Sequence, residues 1–237
     1  MADWFAKLSA DFSQTFVEAN RWKALLSGLC ITLELTLYAL IIGSVLGVLV
    51  AVIRSYHDQM QSRGTGKLLN FLNGVCQLYL TVIRGTPMMV QLLIMYFVIM
   101  ASSTNTLLVA TLSFGINSGA YVAEIIRGGI MAVDEGQMEA GRSLGLSYVA
   151  TMWTIIIPQA IKNILPALGN EFIALLKETS IVNVIGMKDI TKWALNVQGR
   201  TYQAFMPFLG IAGVYLVLVI VFTRLVALME KKLDTGR

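Results

Sequence analysis

Histidine is almost absent from this chain, cysteine nearly so, and charge of either sign is scarce. The single histidine, His57, and the two cysteines, Cys30 and Cys76, are too few and too scattered for a histidine-based zinc centre or a serine–histidine hydrolase. Both cysteines lie in apolar surroundings without metal spacing, so they read as packing residues, and His57 falls in a polar stretch with no partner motif. Charged residues make up only 14% of the 237, against about 25% in an ordinary soluble domain. The first twenty residues contain charges and no apolar core of their own, which excludes a cleavable signal peptide and leaves the first long apolar run as its own insertion signal. A nucleotide site is missing too: Arg63-Gly64-Thr65-Gly66-Lys67 has neither the first glycine of a phosphate loop nor the Ser/Thr after the lysine.

What fills the chain is apolar sequence: 56% of the residues are hydrophobic, gathered into runs too long for a soluble core. The first runs from about Leu25 to Ile53, with Glu34 as its only charge and Gly43 and Gly47 in a G-x-x-x-G pair that lets another helix come close. A polar loop from Arg54 to Lys67 follows. The run from Leu68 to Met100 would extend about 50 Å as one helix, beyond a hydrocarbon core of about 30 Å. Asn70, Asn73 and Gln77 make its first half amphipathic, and Arg84-Gly85-Thr86-Pro87 interrupts it. It is therefore expected to be an oblique lead-in helix, a bend at Pro87 and a span to Met100, with Arg84 and Pro87 as helix break or gate; the alternative is two spans with Arg84 at the outer surface. Further spans are expected at about Thr106–Val133, Trp153–Leu176 and Ala204–Leu228, separated by polar connectors at Asp134–Tyr148 and Lys177–Gln203. The fold class expected is all-α and membrane-spanning, with about five transmembrane helices in one unit, residues 1–237. Residues 1–22 form an amphipathic N-terminal segment and 24–230 the five-helix core.

Net charge is +4, but the basic residues sit at the ends of apolar runs, which points to membrane anchoring and away from nucleic acid. With the C-terminus inside, Arg54, Arg63, Lys67, Arg127, Arg142, Arg224, Lys231, Lys232 and Arg237 lie at the cytoplasmic side. Lys7, Arg21, Lys23, Lys177, Lys188, Lys192 and Arg200 then lie outside, a tilt that does not fix orientation. No internal repeat supports an inverted-repeat transporter.

Polar residues inside the spans cost energy unless they face protein or water. At 100° per residue, Thr106, Ser113, Asn117, Tyr121, Glu124 and Gly128 share one face of the third span. Gln159, Asn163, Asn170 and Lys177 line up on the fourth, with Glu171 on the flank. Two such stripes suggest a shared hydrated cavity, with Asn117, Tyr121, Glu124, Asn170 and Glu171 as its candidate lining. The plainer alternative is interhelical hydrogen bonding, with Glu124 simply neutralised by Arg127 three residues on.

Between the third and fourth spans the chain reads Glu139-Ala140-Gly141-Arg142-Ser143-Leu144-Gly145, and nine residues later Ile155-Ile156-Ile157-Pro158. This resembles the EAA motif of binding-protein-dependent ABC importer permeases: E-A-A, three residues, G, nine residues, I-x-L-P. Gly141 stands for the second alanine and Ile157 for the leucine. Leu33-Glu34-Leu35-Thr36, Arg84-Gly85-Thr86-Pro87 before Val90-Gln91-Leu92, Ser118 to Ile125, and Asn170-Glu171-Phe172 leading to Lys177-Glu178-Thr179-Ser180 look like the polar amino acid branch, over residues 20 to 230. The resemblance implies a type I importer core whose coupling helix, carrying Glu139, Ala140, Gly141, Gly145, Ile157 and Pro158, docks on an ATPase. It further implies a second permease subunit (homodimer or heterodimer), two cytoplasmic ABC ATPase subunits holding ATP and magnesium, and an extracytoplasmic substrate-binding protein. The chain itself is expected to hold no cofactor or metal and to be no enzyme. Its expected place is the bacterial cytoplasmic membrane, N-terminus outside and C-terminus cytoplasmic. The rival reading, an ion-coupled secondary transporter or small channel with Glu124 or Glu171 as carrier, is separated from it by ATP-dependent uptake and ATPase co-purification.

Overall fold

The computed structural model describes residues 2–60 and 64–234, so that Arg63 and Arg237 lie outside the described residues. The described residues form helices and no strands. Helix α1 (Ala2–Phe12) passes through a π-turn and a 3-10 turn into α2 (Arg21–Met60). The junction is a true kink, with Ala19 and Asn20 both in left-handed backbone (φ 52° and 53°). Helix α2 has 40 residues and runs seven past the apolar stretch, so Arg54 and His57 are helical where a loop was expected. Once the helix leaves the apolar layer its backbone bonds are still made internally, and polarity alone does not end it.

Helix α3 (Lys67–Gly85) and α4 (Met88–Ile94), which continues through a π-turn to Ile99, meet at a bend of 109°. The expected break at Pro87 is there, with a consequence the sequence reading did not foresee. The twelve residues after it rise only about 18 Å, too short to cross a bilayer alone, so α4 is no span by itself, and only α3 and α4 taken together have the length and apolarity of one. One side chain holds the corner. The Gln91 amide nitrogen donates to the carbonyls of Ile83 and Thr86 and to the Thr86 hydroxyl, satisfying acceptors that α3 leaves open at its end.

Helix α5 (Thr106–Met131) is the centre of the molecule, capped by the Asn105 side chain on the Leu108 N–H. The G-x-x-x-G expectation holds against it. A Cβ on Gly43 would come within 2.9 Å of Ser118, and one on Gly47 within 2.6 Å of Val122. Gly115 and Gly119 answer from α5, pressed by Ile42 and Leu46. Where lipid supplies no hydrophobic drive between helices, such close backbone approach provides the packing.

Helix α6 (Glu135–Ser143) and the short α7 (Tyr148–Thr151) follow. Helix α7 runs through a π-turn, Met152–Ile156, straight into α8 (Ile157–Glu178). Pro158 sits just past that wide turn, where its missing N–H and its ring, which would crowd the Thr154 carbonyl, are most easily accommodated. The connector after α8 is not irregular. It holds a 3-10 turn and α9 (Ile190–Thr201), whose N-terminus is capped by Asp189, fully buried, accepting from the N–H groups of Thr191 and Lys192. Burial pushes the Asp189 carboxyl up from its ordinary range, and those N–H groups pull it partly back. Helix α10 (Phe205–Asp234) ends the described chain.

One core cluster joins α2, α4, α5 and α8 around Leu35, Leu92, Phe114 and Leu175. A second seats α9, through Ile190, Trp193 and Val197, on α2 and α10. Outward, Ile41, Val45, Val48 and Val52 of α2 and Leu216, Val217, Val221 and Leu225 of α10 are exposed, an apolar face suited to lipid. Among the described residues, helices α2, α5 and α10 are each long and apolar enough to cross a membrane, and the bent α3–α4 pair is so only when taken as one unit. Helix α8 has the length but carries Lys162, Asn163, Asn170 and Glu171. Cys76 is buried as expected of a packing residue, whereas Cys30 is exposed on α2.

Candidate functional site

Helix α5 distributes its polar side chains to different neighbours, and this distribution builds the site. Asn117, almost fully buried, donates its amide to Gln91 Oε1 at 3.0 Å, tying α5 to the corner of α3 and α4. Ser118 donates to Glu171 Oε1 of α8 at 2.7 Å. Tyr121 is 40% exposed and lies under the Arg84 guanidinium, 5.8 Å from the ring centroid. Ser113 turns back to its own helix and donates to the Val109 carbonyl.

Glu124 is the most heavily engaged carboxylate. Arg54 Nη1 lies 2.9 Å from its Oε1, Arg84 Nη1 3.7 Å from the same oxygen, and Arg127 Nε 3.7 Å from Oε2. Pairing with Arg127 alone, the alternative weighed from sequence, describes the weaker contact. The main partner is Arg54 of α2, seventy residues away, which the spacing of one helix cannot reveal. Gln91 and Ser118 were quoted from sequence only as parts of motifs, yet each is the hydrogen-bond partner that fixes a predicted residue.

Helix α8 presents Gln159 to Gln137 and the Ile155 carbonyl, and Asn163 to the Gly129 carbonyl at 3.4 Å, so these stripe members are interhelical contacts. Asn170 is exposed, and Glu171 is partly buried beside it. Asn117 and Glu171 thus belong to adjacent sides of α5, with Tyr121 between them. Arg84 ends α3 at the corner that Pro87 opens.

At one end of the bundle stands α6. Asp134 caps it, accepting from the Gly136 N–H at 2.7 Å. Its far end closes in a Schellman motif: Leu146 N–H donates to the Gly141 carbonyl and Gly145 N–H to the Arg142 carbonyl, with Gly145 at φ 86°. Nothing would meet a Cβ on Gly145, so the glycine is there for its backbone. Gly141 is different. It is buried, and a Cβ would lie 2.5 Å from Thr151 Cγ2, so the departure from the second alanine follows from the close approach of α7. Glu139, Ala140, Arg142, Ser143 and Leu144 are all exposed, Leu144 by 82%. Glu139 makes no hydrogen bond or ion pair among the described residues. Ile157 and Pro158 lie at the start of α8, Ile157 partly buried and Pro158 exposed.

The family described as binding-protein-dependent transport system inner membrane component matches residues 64–235. A candidate glutamine transport system permease protein, GlnP, of Rickettsia bellii is 38% identical over 212 residues, 88% of this chain and 92% of that protein. The arginine transport system permease protein ArtQ of Bacillus subtilis is 35% identical over 232 residues, 97% of this chain and 100% of that protein. Among solved structures, one described as an amino acid ABC transporter with histidines superposes with a TM-score of 0.82 at 43% identity, over 92% of this chain and 98% of that one.

Proposed function

This chain belongs to the family of inner membrane components of binding-protein-dependent transport systems, and from that premise we propose that it carries polar amino acids inward as the permease of an ABC importer. The relatives named for glutamine and arginine transport support the substrate class. The observation that carries the reading is the pair of chemically distinct ends. Polar groups that suit a zwitterion line the faces of α5, and an exposed, capped helix, α6, suits the groove of a motor subunit.

On this reading five spans, α2, α3–α4, α5, α7–α8 and α10, form a single permease unit. The N-terminus is outside, and α6 and the C-terminus are cytoplasmic. A second permease, identical or paralogous, covers the polar groove. Two ATPase subunits, which bind ATP and magnesium, receive α6, and an extracytoplasmic binding protein delivers substrate on the side of α9. Glu139 to Gly145, with Ile157 and Pro158, transmits the closure of the ATPases. Tyr121, Asn170 and Glu171 contact the substrate, Glu171 accepting from a cationic group, while buried Asn117 supports the pathway from behind through its bond to Gln91. Arg84 and Pro87 form the corner that moves.

Reconstitution with the ATPase and binding protein tests this, reading ATP-dependent uptake of labelled arginine and glutamine. Glu171→Gln is expected to impair cationic more than neutral substrates. Normal uptake of every transported amino acid by both Glu171→Gln and Asn170→Ala would remove the proposed site. Gly145→Trp is expected to insert normally yet lose ATPase association and transport. If association and uptake both persist, α6 is not the coupling element.

A further inference from the structure

Around Glu124 the charges do not balance. Three guanidiniums, those of Arg54, Arg84 and Arg127, stand 2.9, 3.7 and 3.7 Å from one carboxylate, an excess of two positive charges at partly exposed positions where α2, α3 and α5 meet. Unbalanced charge in a membrane protein is costly, and it points to a ligand or a hydrated path. Beside it lies a cavity of about 470 Å³, lined by Arg54, Gln77, Thr81, Arg84 and Glu124.

The walls of this cavity are rich in donors and poor in acceptors. Glu124, its one carboxylate, is already engaged by Arg54 at hydrogen-bond distance. Arg84 reaches that carboxylate only at 3.7 Å and makes no hydrogen bond among the described residues; its guanidinium carbon lies 5.8 Å from the centroid of the Tyr121 ring. Thr81 and Gln77, one and two turns back from Arg84 along the same exposed face of α3, make no hydrogen bond among the described residues either. A planar fork with free N–H groups, a hydroxyl and an amide on one wall ask for a planar anion with several lone pairs.

Position relates this wall to the other side of the groove. Along α5, Ser118, Tyr121 and Glu124 step by 60° each at 100° per residue, and by about 4.5 Å in rise. Tyr121, the exposed one, therefore lies between the arginine side at Glu124 and the acidic side at Ser118–Glu171. The structure assigns to Arg84, with Gln77 and Thr81, a subsite for the α-carboxylate of the transported amino acid. The assignment rests on the substrate class proposed above and deepens it, because it names the part of the substrate that the arginine wall recognises.

The test uses the complex of the permease with its ATPase in nanodiscs of neutral lipid, without binding protein. Equilibrium dialysis measures binding of labelled L-arginine and L-glutamine, with their α-amides as competitors. The α-amides keep the ammonium and side chain and lack only the carboxylate. The wild type is expected to prefer each acid over its amide by roughly tenfold or more, since a charge-assisted bond is at stake. Arg84→Gln should lose that preference while binding the amides as the wild type does, and Arg84→Lys should keep part of it. A purely structural arginine would lower acid and amide together, and that result overturns the subsite, as does a wild type that binds acid and amide alike. Displacement of labelled arginine by millimolar inorganic phosphate as readily as by unlabelled arginine would also overturn it, marking a general anion site. If the wild type binds none of the polar amino acids tried, the substrate reading itself fails, an outcome distinct from a lost acid preference.

Discussion

Glycine carries two different burdens in the exposed segment, and they separate at single residues. Gly145 supplies a left-handed turn in open space, whereas Gly141 supplies room. The EAA spacing was fully legible in the sequence, and so was the departure at Gly141; the reason for it was not, because Thr151 belongs to the next helix. Gly141→Ala is expected to destabilise the packing of α6 on α7 by about 1–3 kcal/mol, the usual cost of overpacking. It should weaken ATPase association without abolishing membrane insertion. Adding Thr151→Ala, which removes both atoms that the new methyl would meet first, should recover much of the loss. Co-purification of ATPase with the single and double variants measures this, and equal loss in both would show that space at Thr151 is not the constraint. The ion pairs of Glu124 illustrate the same limit. Arg127 is three residues away and could be guessed, but Arg54 is brought up by the α2–α5 glycine contacts, where the G-x-x-x-G pair announces a close neighbour without saying which helix it is.

At the scale of elements, the long apolar runs located α2, α5 and α10 and Pro87 located the bend, because lipid forces backbone bonding within each helix, but the span expected from Pro87 to Met100 is too short to cross by itself. Helix α9 was missed inside what read as a polar connector. Its signal was present, with Asp189 as cap and Ile190, Trp193, Ala194 and Val197 at i, i+3, i+4 and i+7, but the window is short and strongly polar otherwise. The corner of α3 and α4 offers a sharper test of element-level reasoning. Gln91 spends its nitrogen on the end of α3 and its oxygen on Asn117 of α5, so one amide sets both the bend and its distance from the central helix. Gln91→Glu keeps shape and loses every N–H donor. It is expected to lower thermal stability by about 1–3 kcal/mol through unsatisfied carbonyls and to reduce transport. Gln91→Met should cost a similar amount, since it too lacks the donor. A melting temperature unchanged in both variants would mean that the corner is held by packing alone.

The whole molecule leaves Tyr121 and Asn170 exposed, and in the proposed assembly a second permease covers them about a two-fold axis along the membrane normal. ATP-driven approach of the motors would then draw the two α6 helices together and open the path outward, and nucleotide release would restore the inward-facing state. A spin label on Ser143→Cys, an exposed position of α6, should come measurably closer to its mate when ATP is trapped. The expected change is several ångströms in the distance distribution from paired-spin resonance. Identical distributions with and without trapped nucleotide, in a complex that still transports, would exclude the rocking of the two halves.

The polarity of α8 has a consequence for how the chain is made. With Lys162, Asn163, Asn170 and Glu171 along it, this segment has little tendency of its own to leave the translocation channel for lipid. Its polar groups find their acceptors and donors on α5: Ser118 for Glu171, the Gly129 carbonyl for Asn163, and the space that Gly129 leaves for Ile164. Biogenesis is thereby ordered. Helices α2 and α5, locked by their glycines, form a template that must be standing in the membrane before the ribosome delivers α8. Helix α8 is then admitted by a neighbour made about thirty residues earlier, and much less by its own affinity for oil.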